Sequence, residues 1–346
     1  MNQKQFGFLL KAHRMQRLIV TAPRTVSFED VADPDCPIDG LLVRARVTAI
    51  STGTEIRVFR GIPVDDAGQF LHERVPFVMP VENGYSMVGD VIEVGEQVRG
   101  FAIGDRVYAG VPHKQIAAVA ADRAFQLPDE IPDDEAVFLN ILEVAHIAIR
   151  RAQPALGENV AIIGAGVIGL SALAFCRMFG FRTVVIDSDS DRLEIANAMG
   201  TDMVISINND QFIDRTIEFF DSAGADLIIE AASDWSAIET SMEIAADDAK
   251  IVVVARHTDI PQFNPVGHPF LGKKLTLLTS YGHADDGQRW DRRRSFALTI
   301  DRLARQQLRI APMISHHFDW QQLPEVYDRL DSGEKELVGV VIRWGD

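Results

Sequence analysis

Six consecutive residues near the middle of the chain have the glycine spacing of a turn that binds a diphosphate. They are Gly164-Ala165-Gly166-Val167-Ile168-Gly169, which fit the pattern G-x-G-x-x-G. Gly164 permits the tight turn, Gly166 lets backbone N–H groups approach a diphosphate at the positive end of a helix, and Gly169 allows that helix to pack closely on a strand. We therefore predict that this turn, including Val167 and Ile168, binds a dinucleotide.

Asp187 stands 18 residues after the last of these glycines, at the end of the strand-like run TVVID. A carboxylate there can accept hydrogen bonds from both hydroxyls of the adenosine ribose and would repel a 2′-phosphate, so NAD is favoured over NADP. Arg192, in the helical run that follows, is included with the predicted cofactor-binding residues. The alternative is a glycine-rich turn with a surface aspartate, which the agreement of motif, order and spacing disfavours.

Strand-like and helix-like runs alternate on both sides of the glycine motif. NVAIIGAG is followed by a helical run that ends at Gly180, and the helical run SDRLEIANAMG ends at Gly200. The strand-like runs ADLIIE and KIVVVAR, each preceded by a helical run, and KLTLLTS continue the pattern. Such alternation predicts a buried, doubly wound parallel sheet of the Rossmann type, and so an α/β fold class.

The parts of the chain on either side of this segment have a different sequence pattern. From Arg17 to about Ala120, short β-prone runs are separated by Gly, Pro and Asp, which predicts a compact antiparallel barrel. A helix is predicted over 134–152, and the tail from about Asp291 is expected to return to the first domain. We predict a catalytic domain at 15–139, completed by 291–346, and a dinucleotide-binding domain at 140–290.

The bulk properties exclude several classes of partner. Lys plus Arg total 34 against 50 Asp plus Glu, a formal charge of −16, which disfavours nucleic acid and anionic membranes. Two cysteines without C-x-x-C spacing indicate a reducing, cytoplasmic location. The apolar stretch 160–181 contains early glycines and Arg177, which favour a strand–turn–helix over a membrane span. Residues 1–14 precede a second methionine, Met15. They could be a disordered or docking extension, or they could result from a start codon upstream of the one for Met15.

The chain resembles the medium-chain dehydrogenase/reductase superfamily, which contains alcohol, sorbitol and threonine dehydrogenases. The resemblance extends from Met15 to Trp344 and rests on GYSMVGDVIEVG followed by GDRV, and on GAGVIG with Asp187. It implies a GroES-like β-barrel catalytic domain, a Rossmann domain, an NAD-dependent oxidoreductase activity and a homodimer or homotetramer.

The zinc-ligand positions of that superfamily carry different residues here. Matching Gly53-Thr54-Glu55 puts Thr52 where zinc-using relatives have a cysteine, and Gly84-Tyr85-Ser86 stands where they have Gly-His-Glu. An ungapped match puts Asn140 at the glutamate position of sorbitol-type relatives. None of these side chains is basic enough for a catalytic zinc, and the four-cysteine structural zinc lobe is missing. We expect a zinc-independent member.

Two short runs of residues extend the resemblance to one branch of the superfamily. Ser51-Thr52-Gly53-Thr54-Glu55 and Ser280-Tyr281-Gly282 resemble the zinc-less branch that contains bacteriochlorophyllide a dehydrogenase, which oxidises a hydroxyethyl side chain on a macrocycle with NAD. The runs imply the branch and not the substrate. A relocated metal site using His72, Glu73 or His146 is the alternative to a metal-free enzyme.

Without zinc, side chains must supply the acid, the base and the group that polarises a carbonyl. By resemblance, Thr54 matches the hydroxyl that hydrogen-bonds the substrate oxygen and starts a proton relay, whose usual terminal histidine is Arg57 here. Tyr85 could donate a hydrogen bond or, with a lowered pKa, shuttle a proton. Glu143, close to one helical turn after Asn140, could be a base if burial raised its pKa. The alternatives are that Thr54 caps a helix, Tyr85 fills space and Glu143 pairs with an arginine.

These features predict a zinc-independent, NAD(H)-dependent enzyme that interconverts a secondary alcohol and a ketone on a small or medium metabolite. Two alternatives stay open. One is a zinc-less reductase of activated C=C bonds of the quinone or enoyl type, which usually prefers NADPH, so Asp187 weighs against it. The other is a catalytically disabled, nucleotide-sensing protein, for which the loss of a whole metal site is expected.

Overall fold

A computed structural model describes residues 14–62, 78–281 and 289–345. The N-terminal part of this structure consists of short strands and one helix. They are β1 Arg14–Ala22, β2 Thr25–Ala32, β3 Gly40–Ile50, α1 Thr54–Arg60, β4 Val81–Glu82, β5 Met87–Val94, β6 Arg106–Ala109, β7 Ile116–Ala120 and β8 Ala124–Gln126. Strand β3 is buried along most of its length, with Arg44 and Arg46 exposed, because antiparallel neighbours β5 and β7 cover it.

Two helices connect this part to the nucleotide-binding part. The sequence predicts one helix over 134–152, and this is wrong in detail: α2 Asp133–Ala136 and α3 Leu139–Ala152 are separate. At the break, the carbonyl of Val137 accepts a hydrogen bond from the Ser86 hydroxyl. Phe138, the N-cap residue of α3, has φ −88° and ψ 7°. A side-chain donor from the residue that precedes β5 therefore replaces one helical hydrogen bond, which helical periodicity does not reveal.

The following segment alternates strands and helices as predicted. Its elements are β9 Asn159–Ile163, α4 Val167–Phe179, β10 Arg182–Asp187, α5 Ser190–Ala198, β11 Met203–Ser206, α6 Phe212–Phe219, β12 Ala225–Glu230, α7 Trp235–Ile244, β13 Ala245–Val253 and β14 Thr276–Thr279. The strands form one parallel sheet in the order β11-β10-β9-β12-β13-β14. The order reverses between β9 and β12, which is where doubly wound sheets bind their ligands.

The tail of the chain contributes to both parts. It contains α8 Arg292–Ala304, β15 Ile314–Asp319, α9 Leu323–Asp331 and β16 Gly339–Arg343. Strand β16 pairs antiparallel with β3 and parallel with β15, so the tail extends the N-terminal sheet. Helix α8 packs on α3, and Phe296 of α8 shares one hydrophobic core with Leu142 and Phe175.

This architecture confirms the predicted fold class, while the domain boundaries stay a prediction. Within the described part of the chain, no helix is both long and apolar enough to span a membrane. The apolar stretch 160–181 forms most of β9, the glycine turn and α4, as the strand–turn–helix interpretation predicts.

Candidate active site

The three glycines of the turn after β9 have different local environments. Gly164 has a φ of +98°, and a Cβ built on it would lie 2.9 Å from the backbone carbon of Ala231. A Cβ on Gly169 would lie only 1.8 Å from the carbonyl oxygen of Gly164. A Cβ on Gly166 would meet no atom within 4 Å. The turn is therefore tightly packed against the sheet and open above Gly166, which fits a diphosphate approaching the backbone.

Helix α4 begins at this opening. Gly166 is its N-cap residue, with no side chain to cap the helix, and the first intrahelical bond runs from the amide of Leu170 to the carbonyl of Gly166. The amides of Val167 and Ile168 precede that bond, so they have no acceptor within the helix. Their N–H groups and the helix dipole make this end suited to an anion. The residues present fit the diphosphate of a dinucleotide.

Asp187 lies at the end of β10, beside this turn. Its Oδ2 accepts a hydrogen bond from the amide of Ala165 at 2.6 Å, and its Oδ1 accepts one from the amide of Asp189 at 2.9 Å. The carboxylate is therefore fixed at the edge of the turn and only half-buried. Arg192 donates from Nε to the carbonyl of Lys335 at 2.9 Å, and its contact with a cofactor stays a prediction.

The end of β12, next to the turn, holds a buried carboxylate that sequence reasoning missed. Glu230 accepts hydrogen bonds from the amides of Ala232 and Ser233, and its Oε2 lies 2.8 Å from Nε2 of His257. Nδ1 of that imidazole is buried and has no hydrogen-bond partner among the described residues. The available signal was a charged residue at the end of an otherwise apolar strand, ADLIIE.

In the N-terminal part of the chain, Tyr85 lies close to two of the residues singled out from the sequence. Its hydroxyl interacts with the side-chain hydroxyls of Ser51 and Thr54. Burial raises the pKa of Tyr85 to about 12, although these hydrogen bonds oppose the rise. The side chain is therefore a neutral hydroxyl at physiological pH, so a proton shuttle that relies on a lowered pKa is disfavoured.

The structure places Thr54 and Tyr85 together through the start of α1. Thr54 is the first residue of this helix, and its N-cap residue is Gly53, with no side-chain hydrogen bond. The alternative that Thr54 caps the helix is therefore wrong. Thr54 is exposed to solvent and also forms a hydrogen bond with the Tyr85 hydroxyl, so it connects that hydroxyl to solvent.

A buried carboxylate in α1 fixes this arrangement. Oε1 of Glu55 accepts a hydrogen bond from the amide of Ser51 at 2.7 Å, and Oε2 accepts one from the hydroxyl of Tyr327 at 2.5 Å. Oε2 also lies 2.9 Å from Nε2 of His113, and both side chains are almost completely buried. Glu55 therefore holds the residues on which the Tyr85 hydroxyl depends.

The imidazole of His113 extends this network to β3 and shapes the turn before Tyr85. Its Nδ1 lies 2.7 Å from the hydroxyl oxygen of Thr48, which also accepts a hydrogen bond from the indole N–H of Trp344. Gly84 has a φ of +98°, and a Cβ there would lie 2.5 Å from Cδ2 of His113. The glycine before Tyr85 is thus required by close packing against the ring.

The linker helix α3 and the tail complete the site. The side-chain amide of Asn140 donates to the carbonyl of Tyr85 at 2.7 Å. The guanidinium of Arg292 donates from Nη2 to Oδ1 of Asn140, and its Nε lies 3.2 Å from Oε2 of Glu143. The side chain of Glu143 is 2% exposed. Its ion pair with Arg292 matches the alternative that Glu143 pairs with an arginine and does not act as a base.

Comparison with known proteins agrees with these features. The family model described as "Alcohol dehydrogenase GroES-like domain" matches residues 38–124, and the one described as "Zinc-binding dehydrogenase" matches residues 167–296. L-threonine 3-dehydrogenase of Aeromonas salmonicida is 28% identical, over 91% of this chain and 95% of that protein. The enzyme of the same name from Shewanella woodyi is 27% identical with the same coverage.

Solved structures show the same fold. The crystal structure of 2R,3R-butanediol dehydrogenase from Bacillus subtilis has a TM-score of 0.81 at 18% identity, covering 96% of this chain and 100% of that chain. An Escherichia coli alcohol dehydrogenase complexed with NADH has a TM-score of 0.78 at 21% identity, covering 96% and 99%. A dehydrogenase from Sinorhizobium meliloti bound to NADP has a TM-score of 0.80 at 18% identity, covering 96% and 100%.

The chain belongs to the medium-chain dehydrogenase/reductase superfamily. It is therefore an oxidoreductase, as the resemblance implied. The superfamily membership and the GroES-like and Rossmann parts are confirmed. The zinc-independent branch is not decided by these comparisons.

The residues at the superfamily's zinc-ligand positions do not fit a zinc ion. Ser86 donates its hydroxyl hydrogen to the carbonyl of Val137, and Asn140 uses its amide as described. Within residues 14–62, 78–281 and 289–345, no three His, Cys, Asp or Glu side chains are grouped closely enough to hold a metal ion. The side chains of Ser86 and Asn140 thus donate to backbone carbonyls, and Thr52 and Tyr85 offer hydroxyls only.

The alternative metal ligands give no support to a relocated site in the described residues. Nδ1 of His146 lies 2.7 Å from the hydroxyl of Ser295, and the ring stacks on Phe175. Burial, with the charge of Arg150, lowers the pKa of His146 to about 4, so the imidazole is neutral. His72, Glu73 and Gly282 lie outside the described residues.

We predict that Gly166→Ala and Gly169→Ala fail in different ways. A methyl at 166 meets no neighbouring atom, so the variant should keep the wild-type melting temperature but lose about tenfold or more in NADH affinity, comparable to one lost hydrogen bond to a charged group. A methyl at 169 clashes with the carbonyl of Gly164, so that variant should melt at a lower temperature. Fluorescence titration with NADH and thermal denaturation measure the two effects.

An unchanged NADH affinity in Gly166→Ala would contradict the position of the diphosphate. An unchanged melting temperature in Gly169→Ala would contradict the close packing of α4 on β9.

Proposed function

We propose that the chain is a zinc-independent, NAD(H)-dependent oxidoreductase that interconverts a secondary alcohol and a ketone on a small or medium metabolite. The observation that carries this proposal is the Tyr85 hydroxyl, supported by Ser51 and Thr54, at the position where zinc-using relatives carry a metal-binding histidine. Superfamily membership supports alcohol and ketone chemistry. The side chains around Tyr85 support chemistry based on hydrogen bonding in place of a metal.

The choice of NAD over NADP rests on Asp187. Its fixed, half-buried carboxylate can accept hydrogen bonds from the ribose hydroxyls and would repel a 2′-phosphate. The Escherichia coli structure with NADH and the Sinorhizobium meliloti structure with NADP have the same fold, so the fold alone does not select the cofactor. When bound, NAD(H) accepts or supplies the hydride.

Tyr85 is proposed to hold and move the proton at the substrate oxygen. In the direction of reduction, its neutral hydroxyl donates a hydrogen bond to the carbonyl oxygen and then gives up the proton as the alcohol forms. Thr54 contacts this hydroxyl and is exposed, so it provides a route for a replacement proton from solvent. That route does not need the histidine that Arg57 replaces.

Glu143 is proposed to position a neighbouring cation and not to act as a base. Its carboxylate is paired with Arg292 and is nearly inaccessible to solvent. The linker helix thus contributes a hydrogen bond through Asn140 and a negative charge through Glu143, and both act on Arg292.

Replacing Tyr85 by Phe should lower kcat for carbonyl reduction by about 10²- to 10⁴-fold, the usual contribution of a general acid, and leave NADH affinity unchanged. Since the pKa of Tyr85 is raised to about 12, its hydroxyl stays protonated through neutral pH, and reduction should lose this acid only as the pH approaches that value. Steady-state oxidation of NADH by a panel of ketones, measured at a series of pH values, gives both the change in kcat and its pH dependence.

A wild-type kcat in Tyr85→Phe would contradict the role of the hydroxyl. The panel also includes enones and quinones, and turnover confined to them would replace this proposal with C=C reduction. NADH binding without turnover of any member of the panel would favour a nucleotide-sensing protein.

Asp187→Ser should weaken NADH binding by about 10- to 100-fold, because hydrogen bonds to a charged acceptor contribute ~1.5–3 kcal/mol. Removal of the repulsion should also raise the ratio of NADPH to NADH affinity. The control is Asp191→Ser, which removes the same charge from an exposed position in the first turn of α5. Fluorescence titrations with both cofactors measure the ratio, and equal ratios in the two variants would sink the assignment.

A further inference from the structure

Reduction of a carbonyl without a metal places a negative charge on the substrate oxygen. A single neutral hydroxyl, that of Tyr85, would have to stabilise this charge as it forms. Enzymes that perform such steps aim additional N–H donors or cations at the oxygen. The site therefore needs a second donor near Tyr85, and a cationic side chain lies beside the backbone of that residue.

That side chain is Arg292, the first residue of α8. Its Nη2 donates to Oδ1 of Asn140, whose own amide donates to the carbonyl of Tyr85. A Cβ built on Gly110 would lie 3.5 Å from the carbonyl oxygen of Tyr85 and 3.7 Å from Nη2 of Arg292. The guanidinium thus lies beside the two residues that stand at two of the superfamily's zinc-ligand positions.

The guanidinium is held there by a buried carboxylate and an aromatic ring. Its Nε lies 3.2 Å from Oε2 of Glu143, and its central carbon lies 4.9 Å from the ring centroid of Phe296. The Arg292 side chain is 33% exposed, so it is anchored on one side and accessible on the other. Within the described part of the chain, the polar contacts given for the guanidinium involve Nη2 and Nε, and Nη1 carries two further N–H donors.

The charge of Arg292 acts on the hydroxyl of Tyr108, which also contacts Ser86. Burial raises the pKa of Tyr108, and both a hydrogen bond with Ser86 and the charge of Arg292 oppose that rise. Tyr85 and Glu143 act on the same hydroxyl in the opposite direction. Arg292, Glu143 and Tyr85 therefore all lie close enough to Tyr108 to act on its hydroxyl.

We infer that the guanidinium of Arg292 hydrogen-bonds the substrate oxygen and stabilises its negative charge, the part that a metal ion plays in the zinc-using relatives. The inference rests on the proposed alcohol–ketone chemistry. Glu143 and Asn140 are positioning residues that fix the guanidinium. Because Glu143 balances its charge, the contribution comes from directed N–H donors more than from net positive charge.

The reaction balances without any change in Arg292. In reduction, a hydride adds to the carbonyl carbon, the π electron pair of the carbonyl moves to the oxygen, and that oxygen takes a proton from Tyr85. One C–H and one O–H bond form, the substrate gains two electrons, and NADH is oxidised to NAD⁺. Arg292 forms and breaks no covalent bond.

The test replaces both members of the Arg292–Glu143 ion pair in the same variant. Arg292→Met alone would remove the positive charge that faces the buried carboxylate of Glu143, which is destabilising. The double variant Arg292→Met/Glu143→Gln removes both charges and should fold with wild-type NADH affinity. Its kcat for ketone reduction should be about 10²- to 10³-fold lower, the usual loss for one oxyanion donor. The matched control is Arg293→Met, whose side chain donates to the carbonyl of Asp122, and it should keep wild-type kcat.

Two further readouts distinguish a donor at the oxygen from a structural role. Millimolar guanidinium chloride should restore part of the kcat of Arg292→Ala/Glu143→Gln. Acetamide labelled with ¹³C at its carbonyl, an unreactive carbonyl compound, should show a lower stretching frequency on the NADH complex of the wild type than on that of the double variant.

Wild-type kcat in the double variant would overturn the inference and leave the proposed function intact, because the wild type would still reduce ketones. Acetamide that does not bind the wild-type complex, or that binds without a shift, would also overturn it. Absence of ketone turnover by the wild type itself would overturn the proposed function, and the inference with it.

Discussion

Hydrogen bonds around Asn140 join three distant parts of the chain at one point. Its amide donates to the backbone of Tyr85 in the N-terminal part, and its carbonyl oxygen accepts from Arg292 in the tail. Asn140 itself lies at the start of the linker helix, which packs against the nucleotide-binding part. Because one side chain satisfies both neighbours, the positions of the proton donor and of the guanidinium depend on each other. Each element of the proposed chemistry depends on that coupling.

Three buried carboxylates in the described part of the chain are each paired with a side chain far away in sequence. An unpaired carboxylate in such surroundings costs several kcal/mol, so each partner is required once the acid is present. Their hydrogen bonds hold the start of α1, the start of α8 and the turn after β12. The pairs are Glu55 with His113, Glu143 with Arg292, and Glu230 with His257. These pairings and hydrogen bonds therefore fix the conformation of the three segments.

The sequence predicts the parts of this structure that are encoded locally. The glycine turn, the alternation of strands and helices and the position of Asp187 follow from spacing within about one βαβ unit. The environments of Gly164 and Gly169 agree with their predicted functions. The exception is the break between α2 and α3, where the hydroxyl of Ser86, far away in sequence, donates to the carbonyl of Val137.

The sequence does not predict pairs that only the three-dimensional fold brings together. His113 lies 58 residues after Glu55, and Arg292 lies 152 residues after Asn140. No periodicity or motif connects such positions. The resemblance identified Asn140 and Tyr85 as departures from a zinc site, but the cation beside them came from the structure alone. The cytoplasmic location, the homo-oligomer and the cofactor contact of Arg192 stay predictions.

The central claim is that a hydroxyl and a guanidinium replace the metal in an active dehydrogenase. The most direct measurement is the zinc content of the purified, catalytically active protein, determined by plasma mass spectrometry alongside NADH oxidation before and after exhaustive chelation. The account predicts zinc far below one ion per chain and full activity after chelation. One zinc ion per chain, with activity that disappears on chelation and returns on adding zinc, would contradict it.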